Sequence, residues 1–482
     1  MPSQITILFQ TNLYKDCPNR LGGFKRDDIL MSKIRFYVAF YIARIVELGL
    51  KLLRRQATYM PGKIAIKICP DFLKYIDKPK KIIAVTGTNG KTTVCNIIND
   101  ILTDNGYNIL NNRLGSNLNS GIASALLSKA SLKNKIIQEI AVFEVDERSS
   151  KLIYEYIKPD YLVCTNLFRD SIKRNANTDY IVDIINAKLP KETTLIVDAD
   201  DLISCSLGKE NKKIYYGIDK LETDVKETNN IIKDIRTCPK CDAKLEYEYA
   251  RYHHIGKAHC PNCDFKSPES NFLVKNIDRD RKEIIVKESQ KSYKYNMIAD
   301  SIFNIYNELA AITILRTIGL SATKINNSIK KIKIVETRIS EEKIQGKTVI
   351  THLSKGQNPV AASRVFDYVQ GEEGNKAVIL IIDDCDDAKN SSENLTWLYD
   401  ADFELLNKEN IKQIIIGGVR AHDYYLRLLL AGVPRERLIK IENELETIKQ
   451  VDKENIDKIF ILHDIYKYDV AWKLKDILRG EK

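Results

Sequence analysis

The stretch KIIAVTGTNGKTTVCNIINDIL, residues 81–102, decides the fold. After Lys81, residues 82–86 are β-branched or small and read as a buried strand. Gly87-Thr88-Asn89-Gly90 then breaks the pattern, and Lys91-Thr92-Thr93 opens a segment whose apolar residues recur at helical spacing. A strand, a glycine-bearing turn and a helix start in this order form a phosphate-binding loop. Gly87 and Gly90 let the backbone turn tightly, so that N–H groups and the helix N-terminus face an anion. Lys91 is then placed to neutralise β- and γ-phosphates, and the Thr92 hydroxyl to ligate Mg²⁺. ATP and Mg²⁺ are the expected ligands.

Working outward, short apolar runs alternate with helical patterns: IAVFEVDE (140–147), YLVCTN (161–166) and TLIVDADD (194–201) follow the loop helix. This alternation predicts an α/β fold with a mostly parallel sheet covered on both faces. Helical periodicity returns at Asp300–Leu320, and a second α/β block carries the strands AVILIID, QIIIGG and KIFILHD. The expected layout is an extension over 1–58, an ATPase domain over 59–335 and a C-terminal Rossmann-like α/β domain over 336–482. With 482 residues, 44% hydrophobic and 29% charged, each part can bury a core, which excludes a disordered or fibrous chain. The net charge of +10 is mild for this length. It does not indicate a nucleic-acid coat and suits an anionic substrate equally well.

Ten cysteines are too few for a disulfide scaffold, but four stand in two pairs. Cys238-Pro-Lys-Cys241 and Cys260-Pro-Asn-Cys263, inside an insert over 236–267, have the spacing of two knuckles that converge on one tetrahedral Zn²⁺. A structural four-thiolate zinc is the preferred reading, ahead of a redox pair, free thiols or a catalytic zinc. Tyr247, Tyr249 and Tyr252 are expected to cover this small ribbon. The first residues lack a basic region followed by a long apolar one, so no secretory signal is expected. Ile29–Leu53 is apolar at helical spacing but interrupted by Lys33, Arg35, Arg44, Glu47 and Lys51, too often for a membrane span. It reads as an amphipathic helix packed on its own domain, with membrane-surface contact as the alternative. A cytoplasmic protein is expected.

The spelling GTNGKTT resembles the loop of the Mur ligases, ATP-dependent enzymes that build cell-wall peptides. Further resemblances follow in order: Asn112–Asn117 with Gly121-Ile122, Phe143–Glu147, Thr165-Asn166, Asp198–Asp201 and Asn304–Ala311. The resemblance implies that Glu144 holds Mg²⁺ and that Asn307 contacts the adenine nucleotide. A four-cysteine ribbon inserted in the ATPase domain is similar to one branch, which contains the Mur ligase-like subunit of lipid II isoglutaminyl synthase and archaeal pseudomurein ligases. Asn166–Asp170, Gln357-Asn358-Pro359 and Thr396–Glu404, with Asp400 in the last segment, resemble stretches of that branch.

Three positions depart from it. Asn394 stands where the branch's amidating subunit has an aspartate that completes a partner glutaminase's Cys-His-Asp triad. Ser171 stands near the position of a histidine ligand of Mg²⁺ in other Mur ligases. Of the hinge motif only Arg338 remains, placed by the resemblance near the phosphates, with an interdomain ion pair as its other reading. The implied reaction is amide formation through an acyl phosphate. Asn394 makes a pseudomurein-type peptide ligase adding an amino acid the preferred expectation. The alternative is an amidating subunit that converts D-Glu to D-isoGln with ammonia from a glutaminase partner. The resemblance implies a UDP- or lipid-linked cell-wall precursor as acceptor in either case.

Overall fold

The computed structural model describes residues 24–170, 175, 177–332, 339–354, 356–383 and 395–480, with side chains from residue 31 onward. The first 23 residues, and the boundary expected near residue 335, lie outside these.

The stretch 81–102 folds as read. Strand β1 (Lys81–Thr86) is buried from Ile82 to Thr86, and the loop runs into a helix over Lys91–Asp104. Beyond it come β2 (Ile109–Asn111), β3 (Ile140–Glu144), β4 (Tyr161–Cys164), β5 (Thr194–Asp198) and β6 (Lys213–Ile218). After the insert follow β9 (Phe272–Asp278), β10 (Glu283–Glu288) and β11 (Lys291–Asn296), the insert itself holding β7 (Glu246–Tyr252) and β8 (Ile255–His259). Among the described residues the large sheet has nine strands, in the order β11-β10-β9-β6-β5-β4-β1-β3-β2. It is parallel except for the antiparallel pairs β9–β10 and β10–β11 at one edge. Two apolar layers cover its faces: one gathers Ile83, Val85, Ile98, Leu309 and Ile312, the other Ile82, Ala84, Phe143, Leu126 and Phe40. Alternate residues of β1 thus feed opposite cores, the period-2 consequence of a sheet buried on both sides.

The second block has six strands, β12 (Ile339–Ile344), β13 (Lys347–Leu353), β14 (Lys376–Ile381), β15 (Ile411–Gly417), β16 (Leu438–Ile441) and β17 (Lys458–His463). Their order is β12-β13-β17-β14-β15-β16, parallel apart from β12–β13. Within the large sheet, β1 lies between β3 and β4, and the chain leaves it first toward one edge and later toward the other. In an open α/β sheet such a switch point leaves a crevice at the strands' carboxyl ends, where ligands bind.

Candidate active site and zinc cluster

The loop after β1 is held from the neighbouring strand end. Thr88 N donates to Asn166 O at 2.8 Å, and Asn89 N to Asn166 Oδ1 at 3.0 Å. Thr165 Oγ1 and Asn166 Nδ2 both donate to Asn89 O, at 2.6 and 2.9 Å. Gly87 and Gly90 have φ of +127° and +90°, in the region that favours glycine. A Cβ on Gly90 would stand 2.1 Å from Asn307 Oδ1, so the helix Ile302–Thr317 brings Asn307 directly against the loop. Asn89 Nδ2 is buried with no hydrogen-bond partner among the described residues. A left-handed glycine turn, a helix N-terminus and a lysine at its first position fit a nucleotide's phosphates.

Lys91 lies folded over this loop. Its Nζ donates to Gly87 O and lies 3.1 Å from Glu147 Oε1. Burial opposes the ammonium's charge, but Glu147, Glu144 and Asp146 together outweigh it and hold the Lys91 pKa above its ordinary value. Burial pushes the Glu147 carboxyl up against the pull of Lys91. Both directions follow from one buried pair, and with three carboxylates facing one ammonium the lysine stays charged. Glu144 closes β3 and is fixed by the Asn112–Asn117 loop: Asn112 Oδ1 accepts from Glu144 N at 2.9 Å, and Asn117 Nδ2 donates to Glu144 Oε1 at 3.2 Å. Thr92, Glu144 and Glu147 therefore surround the end of the loop, a hydroxyl and two carboxylates of the kind Mg²⁺ takes beside phosphates. Beside Asp146 opens a cleft of about 310 Å³ whose lining includes Leu118, Arg148, Lys151 and Tyr180.

The second block meets the loop through Asn358, the N-cap of the helix Pro359–Gly371, whose Nδ2 donates to Asn89 Oδ1 at 3.3 Å. Asp400 lies 3.7 Å from Arg169 Nη1, so this residue pairs within the chain, across the two blocks. Asp402 strengthens that seam by accepting from Ile231 N at 2.7 Å and Asn230 Nδ2 at 2.8 Å. Arg338, Asn394 and Ser171 lie outside the described residues.

The four cysteines converge. Cys238 Sγ is 3.5 Å from Cys263 Sγ, and Cys241 Sγ is 3.4 Å from Cys260 Sγ and 3.7 Å from Cys263 Sγ. Four thiolates each ~2.3 Å from a tetrahedral zinc would be ~3.8 Å apart, close to this spacing. Lys240 N and Asn262 N donate to Cys238 Sγ and Cys260 Sγ, both at 3.4 Å, the N–H to sulfur bonds that steady each knuckle. The donor set therefore fits a closed zinc site, and it forms the only such cluster of cysteines, histidines and carboxylates among the described residues. His254 is engaged elsewhere, with Nε2 3.2 Å from Asp201 Oδ1.

The tyrosine expectation needs correction. Tyr247 joins the ribbon's small core of Leu202, Leu245 and Ala258, but Tyr249 and Tyr252 turn toward the large sheet. Tyr249 OH donates to Ile218 O at 2.9 Å, and the Tyr252 ring packs on Phe303 at 4.4 Å and Phe168 at 6.3 Å. Register shifts in the β7–β8 hairpin after Tyr247 and after Ala250 rotate these side chains out of simple alternation. Between them, Arg251 pairs with Asp224 at 2.7 Å and Asp200 at 3.2 Å, and donates to Tyr306 OH, next to Asn307. The hairpin thus braces the helix that carries Asn307.

Sequence reasoning missed Glu147 as the partner of Lys91, and the Arg251–Asp200–Tyr306 network. The acidic run after β3 was a signal for the first, whereas nothing local marked the second.

Two family models match this architecture: the Mur ligase middle domain over residues 85–315 and the MurT ligase C-terminal domain over 355–466. The chain is 31% identical over 423 residues, 87% of its length and 93% of the relative's, to the lipid II isoglutaminyl synthase (glutamine-hydrolyzing) subunit MurT of Staphylococcus aureus. The chain belongs to the MurT family of Mur ligases. The Streptococcus pneumoniae MurT is also 31% identical, over 84% of this chain and 90% of that one. In fold, this MurT-family chain resembles a pseudomurein peptide ligase type C from Methanothermus fervidus, with a TM-score of 0.61, 21% identity and coverage of 85% and 81%. It also resembles MurF from Acinetobacter baumannii, with a TM-score of 0.60, 14% identity and coverage of 86% and 80%. Membership makes it an ATP-dependent ligase forming carbon–nitrogen bonds in cell-wall peptide synthesis. Mur ligases use ATP and Mg²⁺, in keeping with the loop and its carboxylates. The comparisons favour the amidating alternative over the pseudomurein-type reading preferred from Asn394.

Proposed function

We propose that the chain is the ligase subunit of an amidating pair: it activates the carboxylate of a glutamyl residue in a lipid-linked cell-wall precursor and condenses it with ammonia from a glutaminase partner. The observation that carries this reading is the 31% identity across nearly the whole length of named MurT subunits. ATP phosphorylates the carboxylate to an acyl phosphate and leaves as ADP. Ammonia then attacks the acyl carbon, the C–O bond to phosphate breaks, and a proton is lost as amide and phosphate form.

The chain's share is positioning and charge. Lys91 exchanges its bonds to Gly87 O and Glu147 for phosphate oxygens, and the loop N–H groups hold the β-phosphate. Asn307 contacts the nucleotide beside Gly90. Thr92 and Glu144 would hold Mg²⁺, which when bound neutralises developing charge on the transferring phosphoryl group. Arg148 and Lys151, in the cleft beside Asp146, suit the anionic end of the precursor. Arg338 and Asn394 are assigned to the phosphates and to the partner-facing loop, residues 59–335 to the ATPase unit and 336–482 to the acceptor-side unit. A tetrahedral zinc on Cys238, Cys241, Cys260 and Cys263 holds the ribbon.

ADP release by the purified chain, with a glutamyl muropeptide and either ammonium or single amino acids, tests the proposal. Stimulation by ammonium, and by glutamine once a glutaminase is added, is expected. Stimulation by an amino acid alone would overturn it in favour of the peptide-adding reading.

A further inference from the structure

The long helix Phe24–Leu52 packs on the large domain with one face and leaves the other bare. Its inner row, including Phe36, Phe40, Ala43 and Glu47, is buried, with the Phe36 ring 5.2 Å from that of Phe72. Opposite it, ten large apolar or aromatic side chains between residues 31 and 53 are 40–84% exposed. At helical spacing they fall within one outward arc of roughly 160°. Ile34, Val38, Ile45 and Leu52 run along its crest, with Ile45 and Leu52 69% and 84% exposed. Isolated exposed apolar residues need no explanation, but a continuous ridge over 22 residues, about 33 Å long, does.

Charge distinguishes the occupants. No exposed residue of this helix from Met31 onward is acidic; its one acid there, Glu47, is 1% exposed and turned inward onto Arg44 and Lys51 at 2.8 and 2.6 Å. Lys33 and Lys51 follow one margin of the ridge and Arg35 the other, all exposed. Residues 31–80 together hold eleven lysines and arginines against three acids, a net +8 of the chain's +10. The overall charge is thus concentrated in this stretch of the chain. A second copy of the chain would bring the same positive margins onto itself. The chain's own first 23 residues carry two basic residues and one acid, and so offer no negative charge to match. A convex apolar ridge with basic margins is the form of a helix lying in a membrane interface, its crest among acyl chains and its cations at anionic headgroups. No described helix is long and apolar enough to cross a membrane.

We propose that the outer face of this helix docks the enzyme on an anionic lipid bilayer. The same helix packs on the helix Asn119–Lys129, which follows the Asn112–Asn117 loop that fixes Glu144, so docking sets the catalytic crevice one layer of helices from the lipid. The binding itself does not depend on which amine the enzyme uses.

Cosedimentation of the full chain with phosphatidylcholine vesicles, with and without phosphatidylglycerol, is the test. Binding to the anionic vesicles, at least about tenfold weaker to neutral ones and weakened by salt, is expected. The double variant I45D/L52D should lose about tenfold or more in vesicle affinity, with an unchanged melting temperature and unchanged ADP release on a water-soluble acceptor. Equal vesicle binding by wild type and variant, or none by either, overturns the proposal. A dimer that the variant abolishes, without vesicle binding, would assign the face to a second copy. A variant that melts much lower, again without vesicle binding, would assign it to residues 1–23.

Discussion

The phosphate loop and the cysteine ribbon derive their order from different sources. The loop is held by bonds within the fold, from Thr165, Asn166 and the β1 backbone, over a sheet buried on both faces. The ribbon has a core of only a few apolar residues around its cysteines, and four sulfurs, three pairs of them 3.4–3.7 Å apart, that a cation would hold together. The first is a site that a ligand fills, the second a structure that its ligand completes. They nevertheless meet: Arg251 and Tyr252 of the ribbon hairpin reach Tyr306, Phe303 and Phe168, so the hairpin braces the helix that carries Asn307.

The comparison breaks most visibly at Lys91. Lys91→Ala should lower ADP formation by roughly 10²- to 10³-fold or more, because the cation on the transferring phosphoryl group is lost, while the fold survives. Near-normal turnover in a stopped-time ADP assay would remove the loop from the mechanism. Next comes the metal. Cys238→Ser, or a strong chelator, should release one zinc per chain by elemental analysis and lower the melting temperature by roughly 10 °C. It should also raise the KM for ATP. Unchanged ATP affinity in the zinc-free protein would show that the ribbon is a separate appendage rather than a brace for the Asn307 helix.

Arg251→Lys sharpens the link between the two regions. A point charge cannot bridge Asp200, Asp224 and Tyr306 as the guanidinium does, so a loss of roughly 1–3 kcal/mol is expected, with KM for ATP rising more than kcat falls. An equal fall in kcat and kcat/KM would argue against a purely positioning role. The last effect falls on stability alone and concerns Glu308, buried beside Asn307, where burial pushes the carboxyl up to about 8. The unfolded chain releases this proton from its ordinary pKa of 4.5 upward, while the folded chain keeps it to about 8. Glu308 therefore costs stability increasingly across that window. Glu308→Gln should leave melting unchanged at pH 4 and raise it at pH 8, by at most about 1.4 kcal/mol per pH unit between. A gain independent of pH would mean that the carboxyl is already ionised in the fold.

The features legible in the sequence were those written within a few residues. GTNGKTT, the two Cys-x2-Cys pairs and the helix within Asp300–Leu320 needed only spacing and local propensity. The strands AVILIID and KIFILHD were readable for the same reason. Glu147 pairs with a lysine 56 positions away, so the acidic run after β3 marked the residue but not its partner, and Arg251 pairs with residues 51 and 55 away that no local pattern announced. The N-terminal helix shows a subtler failure. Its periodicity was read correctly, but a sequence that is apolar on two opposite faces does not say which one the protein keeps for itself.

Asn89 gives the molecule a thermodynamic link that neither block has alone. One amide belongs to the loop that receives phosphates and also accepts the 3.3 Å bond from Asn358 of the second block. On the proposed reading, nucleotide affinity and the approach of the second block share a coupling free energy through this amide. Whatever factor one changes in the other must be returned in equal measure.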